Sequence, residues 1–323
     1  MTVSGNRPGA LRVAVVGAGY MGKGIGQTLA RGGASAVVLC DESADRATDG
    51  LTTMLADVEQ AERDGLLPPG AAATVAAVSS AAPDVATAVA DADVVVEAVF
   101  EDITVKQDVL RRVEAAAAET TVIATNTSAI PISDLAVVLR RPERFFGVHW
   151  FNPAPYLPSV EIILGDKSDE ALLGPLTALL QAAGKAPVTV ADTPGFICNR
   201  LQFALFAEAA RMVEEGTATP ERIDAVVRSS FGFRLPFFGP FAIADMAGLD
   251  VYANSYATLA AALGERYTCP PSLRARVDAG DLGIKTGGGY LGLSEEQATA
   301  MTRLRDRSYV ALAHLRDKLD DQE

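Results

Sequence analysis

Short apolar runs alternate with Ala-rich helical stretches over the first part of the chain. Most runs are continuously apolar, which is typical of strands buried on both faces of a parallel sheet. The predicted strands are residues 11–16, 36–40, 93–99, 121–125, 144–149, 160–164 and 186–191. The predicted helices between them are residues 22–31, 43–65, 106–118 and 168–183. This alternation predicts an α/β fold with an N-terminal Rossmann-like, doubly wound, mostly parallel sheet.

The pattern changes at the sequence Asp-Thr-Pro-Gly, residues 192–195. No further strand is predicted after it. Residues 196–215 have apolar positions at helical spacing, and residues 295–318 form one long charged helical stretch. We therefore expect one domain over residues 1–192 and a separate all-α domain over residues 193–323.

The first predicted strand runs directly into a glycine-rich loop, Gly-Ala-Gly-Tyr-Met-Gly, and a predicted helix follows. The first glycine allows a tight turn, the second lets the backbone approach a pyrophosphate, and the third lets helix and strand pack closely. Glycines also serve ordinary turns, but the strand–loop–helix context favours a dinucleotide site. The expected cofactor contacts in this loop are Gly17, Gly19, Tyr20, Met21 and Gly22.

Asp41 ends the next apolar run, 24 residues after Gly17. A carboxylate at this place hydrogen-bonds the ribose hydroxyls of NAD and repels the 2′-phosphate of NADP. We therefore expect NAD as the cofactor. The alternative is that Asp41 only caps the next helix.

Candidate acid–base chemistry centres on His149, at the end of a predicted strand, where doubly wound folds place their ligands. Glu161 follows twelve residues later in another apolar run and needs a partner there. The two side chains could form a pair in which Glu161 orients the imidazole of His149. The alternatives are a structural histidine and an exposed Glu161. The other histidine, His314, is expected at the surface.

Polar residues at two further places are candidates for ligand contact. Asn126 and Ser128 follow a predicted strand, where they could hold a ligand or cap a turn. Asn199 lies in the first turns of the first helix of the α domain, and an unpaired polar group on an apolar helix face is costly. We expect it to face the cleft between the two domains.

Composition excludes several classes of protein. The formal net charge is −13, which argues against a nucleic-acid binder working by bulk charge. Three Cys and two His argue against a disulfide scaffold and a metal site. The sequence contains no stretch of about 18 apolar residues, so no membrane span is predicted. Residues 1–9 do not look like a signal peptide. A cytoplasmic location is expected.

Several ordered motifs resemble the L-3-hydroxyacyl-CoA dehydrogenase family over nearly the whole chain. They are the glycine loop at 17–24, Val-Val-Glu-Ala-Val-Phe-Glu at 95–101, Thr-Asn-Thr-Ser at 125–128, Arg-Pro-Glu-Arg at 141–144, His-Trp-Phe-Asn-Pro at 149–153 with Glu161, Asp-Thr-Pro-Gly-Phe at 192–196, Gly-Pro-Phe at 239–241 and Lys-Thr-Gly at 285–287. The resemblance implies NAD-linked interconversion of an L-3-hydroxyacyl group and its 3-keto form.

The resemblance also implies residue roles. His149 would take the hydroxyl proton, Glu161 would hold His149, and Ser128 and Asn199 would contact the reacting oxygen. The residues matching positions near the cofactor's ribose and nicotinamide are Glu101, Lys106 and Asn152, with Asn126 beside them. The family commonly dimerises through its helical domain, so a homodimer is implied.

Three departures bear on the substrate. CoA-binding members carry a Lys-rich stretch where this chain has residues 57–64, with four carboxylates and one Arg. Carboxylates there would repel the phosphates of CoA. The sequence Leu-Pro-Ser at 157–159 and the long C-terminal extension resemble the carnitine dehydrogenase and L-gulonate dehydrogenase (lambda-crystallin) branch. Residues 126–130 and 285–287 are closer to the hydroxybutyryl-CoA type. The substrate thus stays open between a CoA thioester and a free or carrier-bound 3-hydroxy acid.

Residues 231–241 hold five of the chain's 12 Phe. They could pack between helices, or they could line the substrate cleft, with Phe238 against the substrate and Arg234 meeting a carboxylate.

Two other interpretations of the whole chain stay in view. The 3-hydroxyisobutyrate and phosphogluconate dehydrogenases share the glycine loop but use a Lys base. A non-catalytic NAD-binding structural or sensor protein is the other alternative.

Overall fold

The computed structural model describes residues 11–320, which divide into two compact units at Phe206 and Ala207. Residues 1–9, where no signal peptide is predicted, lie outside the described residues. Among residues 11–320, no helix combines the length and the apolar character that crossing a membrane requires.

The first unit is built on an eight-stranded sheet. Its strands are β1 (Arg12–Val16), β2 (Ala36–Cys40), β3 (Ser79–Ala81), β4 (Val94–Glu97), β5 (Val122–Thr125), β6 (Phe145–Trp150), β7 (Ser159–Leu164) and β8 (Ala186–Ala191). They lie in the order β3-β2-β1-β4-β5-β6-β7-β8. Every neighbouring pair is parallel except β6 with β7. The predicted Rossmann-like, mostly parallel sheet is therefore confirmed.

Helices cover both faces of this sheet. They are α1 (Tyr20–Arg31), α2 (Ala44–Arg63), α3 (Ala71–Val78), α4 (Val85–Val89), α5 (Ile103–Ala116), α6 (Ile132–Ala136) and α7 (Gly174–Ala182). One buried cluster packs α1, α2, α3 and α7 on one face. The other packs α4, α5 and α6 on the opposite face. Two cores explain why the central strands are apolar on both sides.

The antiparallel pair β6–β7 positions two of the candidate residues. Its register sets His149 directly opposite Glu161 and Trp150 opposite Val160. Directly opposed residues project to the same face of a sheet, with Cβ atoms about 4.5–5.5 Å apart. The two side chains therefore meet because the strands run in opposite directions with this register.

After β8, the described residues contain helices and turns but no strand, as predicted. The helices are α8 (Cys198–Glu214), α9 (Pro220–Ser229), α10 (Pro240–Ala247), α11 (Leu249–Leu263), α12 (Pro271–Asp278) and α13 (Glu295–Asp320). The second unit has a small core around Leu249, Ala253 and Leu273. Its fully buried Asp245 accepts hydrogen bonds from the backbone N–H groups of Tyr290 and Leu291 at 2.9 and 3.0 Å.

Candidate active site

The glycine loop between β1 and α1 has one role for each glycine. Gly17 has φ +104°, and a Cβ there would lie 2.6 Å from the carbonyl oxygen of Ala98. A Cβ at Gly22 would overlap the carbonyl oxygen of Gly17. Gly19 caps α1 without a side chain, and a Cβ there would meet no atom within 4 Å. The N-terminus of α1 therefore opens onto free space, where it can bind an anion.

Asp41 follows β2 immediately beside this loop. Its carboxylate accepts hydrogen bonds from the backbone N–H groups of Ala18 at 2.7 Å and Glu42 at 2.8 Å, and Arg46 Nε lies 3.1 Å away. The N-cap of α2 is Ser43, so the alternative of Asp41 as the cap is wrong. A cavity of about 520 Å³ is lined by Gly17, Gly19 and Asp41, among others.

A buried ion pair joins the end of β4 to α5. Lys106 and Glu97 are both fully buried, with Nζ 2.9 Å from Oε1, and Thr125 also donates to Glu97. Lys106 Nζ lies 3.3 Å from Glu101 Oε2 and has no exposed surface. The amine of Lys106 is enclosed by these protein partners, and its predicted place near the cofactor stays a prediction.

Glu101 holds the turn after β5. Its Oε1 accepts hydrogen bonds from Thr127 Oγ1 at 2.6 Å and from the backbone N–H of Ser128 at 2.8 Å. Partial burial alone would raise the pKa of Glu101, but the Thr127 hydrogen bond and the Lys106 charge outweigh burial and lower it. Glu101 is therefore a fixed carboxylate that orders the turn carrying Ser128.

His149 and Glu161 form the central pair. His149 Nδ1 lies 2.9 Å from Glu161 Oε2, and both residues are buried. The other oxygen of Glu161 accepts from the backbone N–H groups of Ile197 at 3.0 Å and Cys198 at 2.9 Å, at the start of α8. Since the carboxylate can only accept at Nδ1, the neutral imidazole carries its proton there and keeps Nε2 free to act as a base.

Two aromatic rings flank the imidazole. The ring centroid of Phe151 lies 4.6 Å from that of His149, and that of Phe196 lies 5.7 Å away. Phe196 is 1% exposed and has φ +50°, a left-handed conformation that is uncommon for a bulky residue. The sequence predicts no role for either ring, although Phe196 ends the Asp-Thr-Pro-Gly-Phe motif.

The other predicted residues, Asn126, Ser128, Asn152 and Asn199, also belong to the first unit. Asn199 Nδ2 donates to the backbone oxygen of Ser128 at 2.8 Å. Asn126 Oδ1 accepts from the backbone N–H of Trp150 at 2.9 Å, which ties the turn after β5 to β6. Ser128 and Asn152 are exposed. Asn199 thus has a defined partner, and its amide keeps an oxygen and one N–H for other contacts.

The two substrate candidates on the Phe-rich segment belong to the second unit. Phe238 is 5% exposed, and its ring lies 6.2 Å from Tyr309 in an edge-on arrangement. Phe238 therefore packs against its neighbours in the second unit, which is the packing role that the sequence offered as the alternative to lining the substrate cleft. Arg234 is exposed, and so is His314, as expected.

Two family models together match most of the chain. The model described as "3-hydroxyacyl-CoA dehydrogenase, NAD binding domain" matches residues 12–193. The model described as "3-hydroxyacyl-CoA dehydrogenase, C-terminal domain" matches residues 195–292.

Curated relatives and solved structures agree with these models. The chain is 36% identical over 307 residues to a 5-formyl-3-hydroxy-2-methylpyridine 4-carboxylate 5-dehydrogenase of Mesorhizobium japonicum, covering 94% of this chain and 97% of that one. It is 35% identical over 286 residues to a probable 3-hydroxybutyryl-CoA dehydrogenase of Bacillus subtilis, covering 88% and 98%. The crystal structure of (S)-3-hydroxybutyryl-CoA dehydrogenase from Ralstonia eutropha aligns with TM-score 0.65 and 34% identity, covering 86% and 97%.

Proposed function

The chain belongs to the 3-hydroxyacyl-CoA dehydrogenase family and is an NAD-dependent oxidoreductase of that type, and we propose that His149 carries its acid–base chemistry. The observation that supports this proposal is the buried His149–Glu161 pair at 2.9 Å. Glu161 is fixed in turn by two backbone N–H groups at the start of α8.

The first unit fits a dinucleotide at the glycine loop. The space in front of Gly19 admits a pyrophosphate near the N-terminus of α1, and Asp41 stands where ribose hydroxyls can donate to it. Gly17, Tyr20, Met21 and Gly22 complete the loop that would hold the cofactor, and Asn126, Asn152 and Glu101 are the proposed contacts farther along. The chemistry that NAD supplies when bound is acceptance of a hydride.

We assign the proton transfer to Nε2 of His149. The substrate's 3-hydroxyl proton moves to Nε2 while the C–H bond at carbon 3 gives up its electron pair with the hydrogen, so that a ketone forms. The resulting imidazolium is stabilised by Glu161, whose other oxygen stays bound to the backbone of α8. Ser128 and the free part of the Asn199 amide position the reacting oxygen, and the reverse sequence reduces the ketone.

The predicted outcome for His149→Gln is a loss of turnover with NAD binding retained. Glutamine fills a similar volume but cannot take up the proton, so kcat should fall by about 10²–10⁴-fold. The test follows NADH absorbance with L-3-hydroxybutyryl-CoA and free 3-hydroxy acids, and measures NAD affinity by calorimetry. The exposed His314→Gln is the matched control and should keep full activity. Full activity in His149→Gln would overturn the assignment.

The reaction does not determine which group the 3-hydroxyacyl part of the substrate is attached to. The Bacillus relative is named for a CoA thioester and the Mesorhizobium relative for a pyridine carboxylate. The proposed reaction needs only a 3-hydroxyacyl group and its 3-keto form, whether the substrate is a CoA thioester or a carboxylic acid.

Assembly and location complete the proposal. Residues 193–323 would form the helical substrate and dimerisation domain, and the enzyme would be a homodimer. Large apolar side chains exposed on α8 support a partner surface, among them Leu201, Phe203 and Phe206. A cytoplasmic location is supported by the thiols of Cys40, Cys198 and Cys269, which are all free.

A further inference from the structure

The turn between β8 and α8 contains two consecutive residues in left-handed conformations. Gly195 has φ +74° and Phe196 has φ +50°. Glycine adopts this region at no steric cost, whereas a bulky side chain rarely does. Such an outlier persists only where the surrounding structure enforces it, and outliers of this kind cluster at functional sites. The conformation of Phe196 therefore needs a specific reason.

Contacts on both sides of Phe196 hold this turn in place. Before the turn, the carboxylate of Asp192 accepts hydrogen bonds from the backbone N–H groups of Ile132 and Ser133, at 2.9 and 2.8 Å. These two residues begin α6. Within the turn, the N–H of Phe196 donates to the carbonyl oxygen of Thr193 at 2.9 Å. The fold thus supplies the contacts that keep Phe196 in its unusual conformation.

The backbone that follows Phe196 holds the carboxylate of Glu161. The N–H groups of Ile197 and Cys198 both donate to its Oε1, at 3.0 and 2.9 Å. Successive N–H groups in a turn form a concave site that binds an anion. In the part of the chain that the structure describes, Glu161 has no ion-pair partner other than His149. The turn therefore stabilises the carboxylate that orients the base.

The side chain of Phe196 contacts the other member of the pair. Its ring centroid lies 5.7 Å from that of the His149 imidazole, with an angle of 57° between the ring planes. Phe196 and His149 are 1% and 3% exposed. An apolar ring in this place keeps water from the imidazole and restricts its rotation. Where water is excluded, the hydrogen bond between Nδ1 and Glu161 is stronger.

One residue thus acts on both members of the pair, on His149 through its ring and on Glu161 through its backbone. The alternative is that Phe196 only fills the core, because it belongs to the buried cluster that packs α4, α5 and α6 against the sheet. Core filling explains its burial. It does not explain why an aromatic residue occupies a left-handed position against the imidazole, since residues in ordinary conformations fill the rest of that cluster.

Resting on the proposed role of His149, we propose that Phe196 is a positioning residue of the reaction. Its ring holds the imidazole in the orientation that presents Nε2 to the substrate, and it keeps water from the bond between Nδ1 and Glu161. Its left-handed backbone points the N–H groups of Ile197 and Cys198 at the same carboxylate. Phe196 acts through His149 and Glu161, whose geometry it sets.

Kinetics of two variants test the ring. Phe196→Gly removes the ring and keeps the turn, because glycine adopts the left-handed region freely. Its kcat should fall by about 10- to 10²-fold, the cost of a misplaced catalytic group, while KM and NAD affinity stay unchanged. Phe196→Leu keeps most of the apolar volume and hence the fold. It should restore part of the lost kcat but stay below the wild type, since leucine shields the imidazole without holding it as a ring does.

Phe145→Ala is the matched control. Phe145 is fully buried in the same cluster as Phe196, and within residues 11–320 its ring makes no ring contact with His149. Removing this ring should lower Tm at least as much as Phe196→Gly does, because the glycine variant also relieves backbone strain. The kcat of Phe145→Ala should nevertheless match the wild type. Stability and turnover then respond to different rings.

Histidine NMR gives a readout that does not depend on turnover. The chain has 2 His, so isotope-labelled histidine gives two imidazole spectra, and His314→Gln identifies that of His149. In the wild type the proton on Nδ1 should give a resolved signal, because the bond to Glu161 and the exclusion of water slow its exchange. The signal should be lost through exchange in Phe196→Gly and remain in Phe145→Ala.

Three results would each overturn the positioning role: wild-type kcat in either Phe196 variant, an unchanged Nδ1 proton signal in Phe196→Gly, or an equal loss of kcat in Phe145→Ala. Full activity in His149→Gln would instead overturn the proposed function. If the Nδ1 signal depends on Phe196 but neither hydroxy acids nor thioesters are turned over, the proposed reaction fails and the effect of Phe196 on the pair stands.

Discussion

Glu161 joins three parts of the first unit through one carboxylate. One oxygen meets His149 on β6, and the other meets two backbone N–H groups at the start of α8. A buried charge is tolerated only when its hydrogen-bonding capacity is used, and here both oxygens are engaged. The same contacts that stabilise the carboxylate also fix which nitrogen of His149 carries the proton, so structural and chemical demands coincide at this residue.

The burial of the Glu97–Lys106 pair could not be predicted from the pattern of apolar and polar residues. Glu97 ends a run of valines and Lys106 lies in an amphipathic helix, and both would pass for partly exposed residues. The structure buries both completely, nine positions apart, because the segment between them folds back over the end of the sheet. Their pairing depends on that local path, which apolar periodicity does not encode.

Lys185 yields a pH-dependent prediction. The residue is 6% exposed and its amine donates to the backbone oxygens of Ala154 and Leu157, at 2.6 and 2.8 Å. Burial, and then the nearby Arg31 charge, lower its pKa from 10.5 to about 8. Between those two values the unfolded chain binds a proton that the folded chain has released, so folding becomes more favourable as pH rises through this window.

The free energy of unfolding of the wild type should therefore rise relative to Lys185→Met by about 2–3 kcal/mol between pH 8 and pH 10.5. Urea titrations of both proteins across that range measure the difference. Lys167→Met, at an exposed lysine, is the control and should track the wild type at every pH. A constant gap between wild type and Lys185→Met would show that the amine keeps its ordinary pKa.

At the scale of elements, two glycines at the start of α1 are needed for different reasons, one for folding and the other for cofactor binding. At Gly22 a Cβ would overlap the carbonyl oxygen of Gly17, whereas at Gly19 it would meet no protein atom. Gly22→Ala should therefore lower Tm by several degrees, since backbone must shift. Gly19→Ala should leave Tm unchanged and weaken NAD binding by at least about tenfold, because the methyl group occupies the approach of the pyrophosphate. Thermal melts and calorimetry on both variants decide the matter, and unchanged NAD affinity in Gly19→Ala would place the pyrophosphate elsewhere.

Apolar runs predicted seven of the eight strands because strands buried on both faces cannot carry polar positions. The missing strand, Ser79–Ala81, is short, polar and at the edge of the sheet, paired only with β2. The short helices Ala71–Val78, Val85–Val89 and Ile132–Ala136 were missed as well. Each is at most about two turns long, too short for helical periodicity to stand out.

The site residues that could be predicted from the sequence are those at the ends of strands. His149, Ser128 and Asp41 all stand at or just after the carboxyl ends of strands, where such sheets bind ligands. The direction and register of β7 were not predictable, since a chain segment of irregular structure separates it from β6. The contacts from Glu161 to the start of α8, and the enclosure of Lys106, arise only from tertiary packing.

At the scale of the whole molecule, the carboxylates that give the net charge of −13 have different roles. Many carboxylates are used internally, as Glu97, Glu161 and Asp245 show by their burial. Others line a cavity, as Asp41 does at the proposed dinucleotide site, and these can act on a ligand. Total charge therefore says little about the substrate until each carboxylate's partners are known.

The proposed homodimer gives the last prediction. Phe203 and Phe206 on α8 are 60% and 67% exposed, an unfavourable arrangement for aromatic side chains unless a partner covers them. Light scattering should give twice the chain's mass of 33.7 kDa at micromolar concentration. The double variant Phe203→Glu, Phe206→Glu should run as a monomer, because burying two carboxylates in an apolar contact costs more than the contact returns. Val137→Glu, at an apolar residue that is 72% exposed outside α8, should stay dimeric. A monomeric wild type, or a double variant that stays dimeric, would exclude this face as the interface.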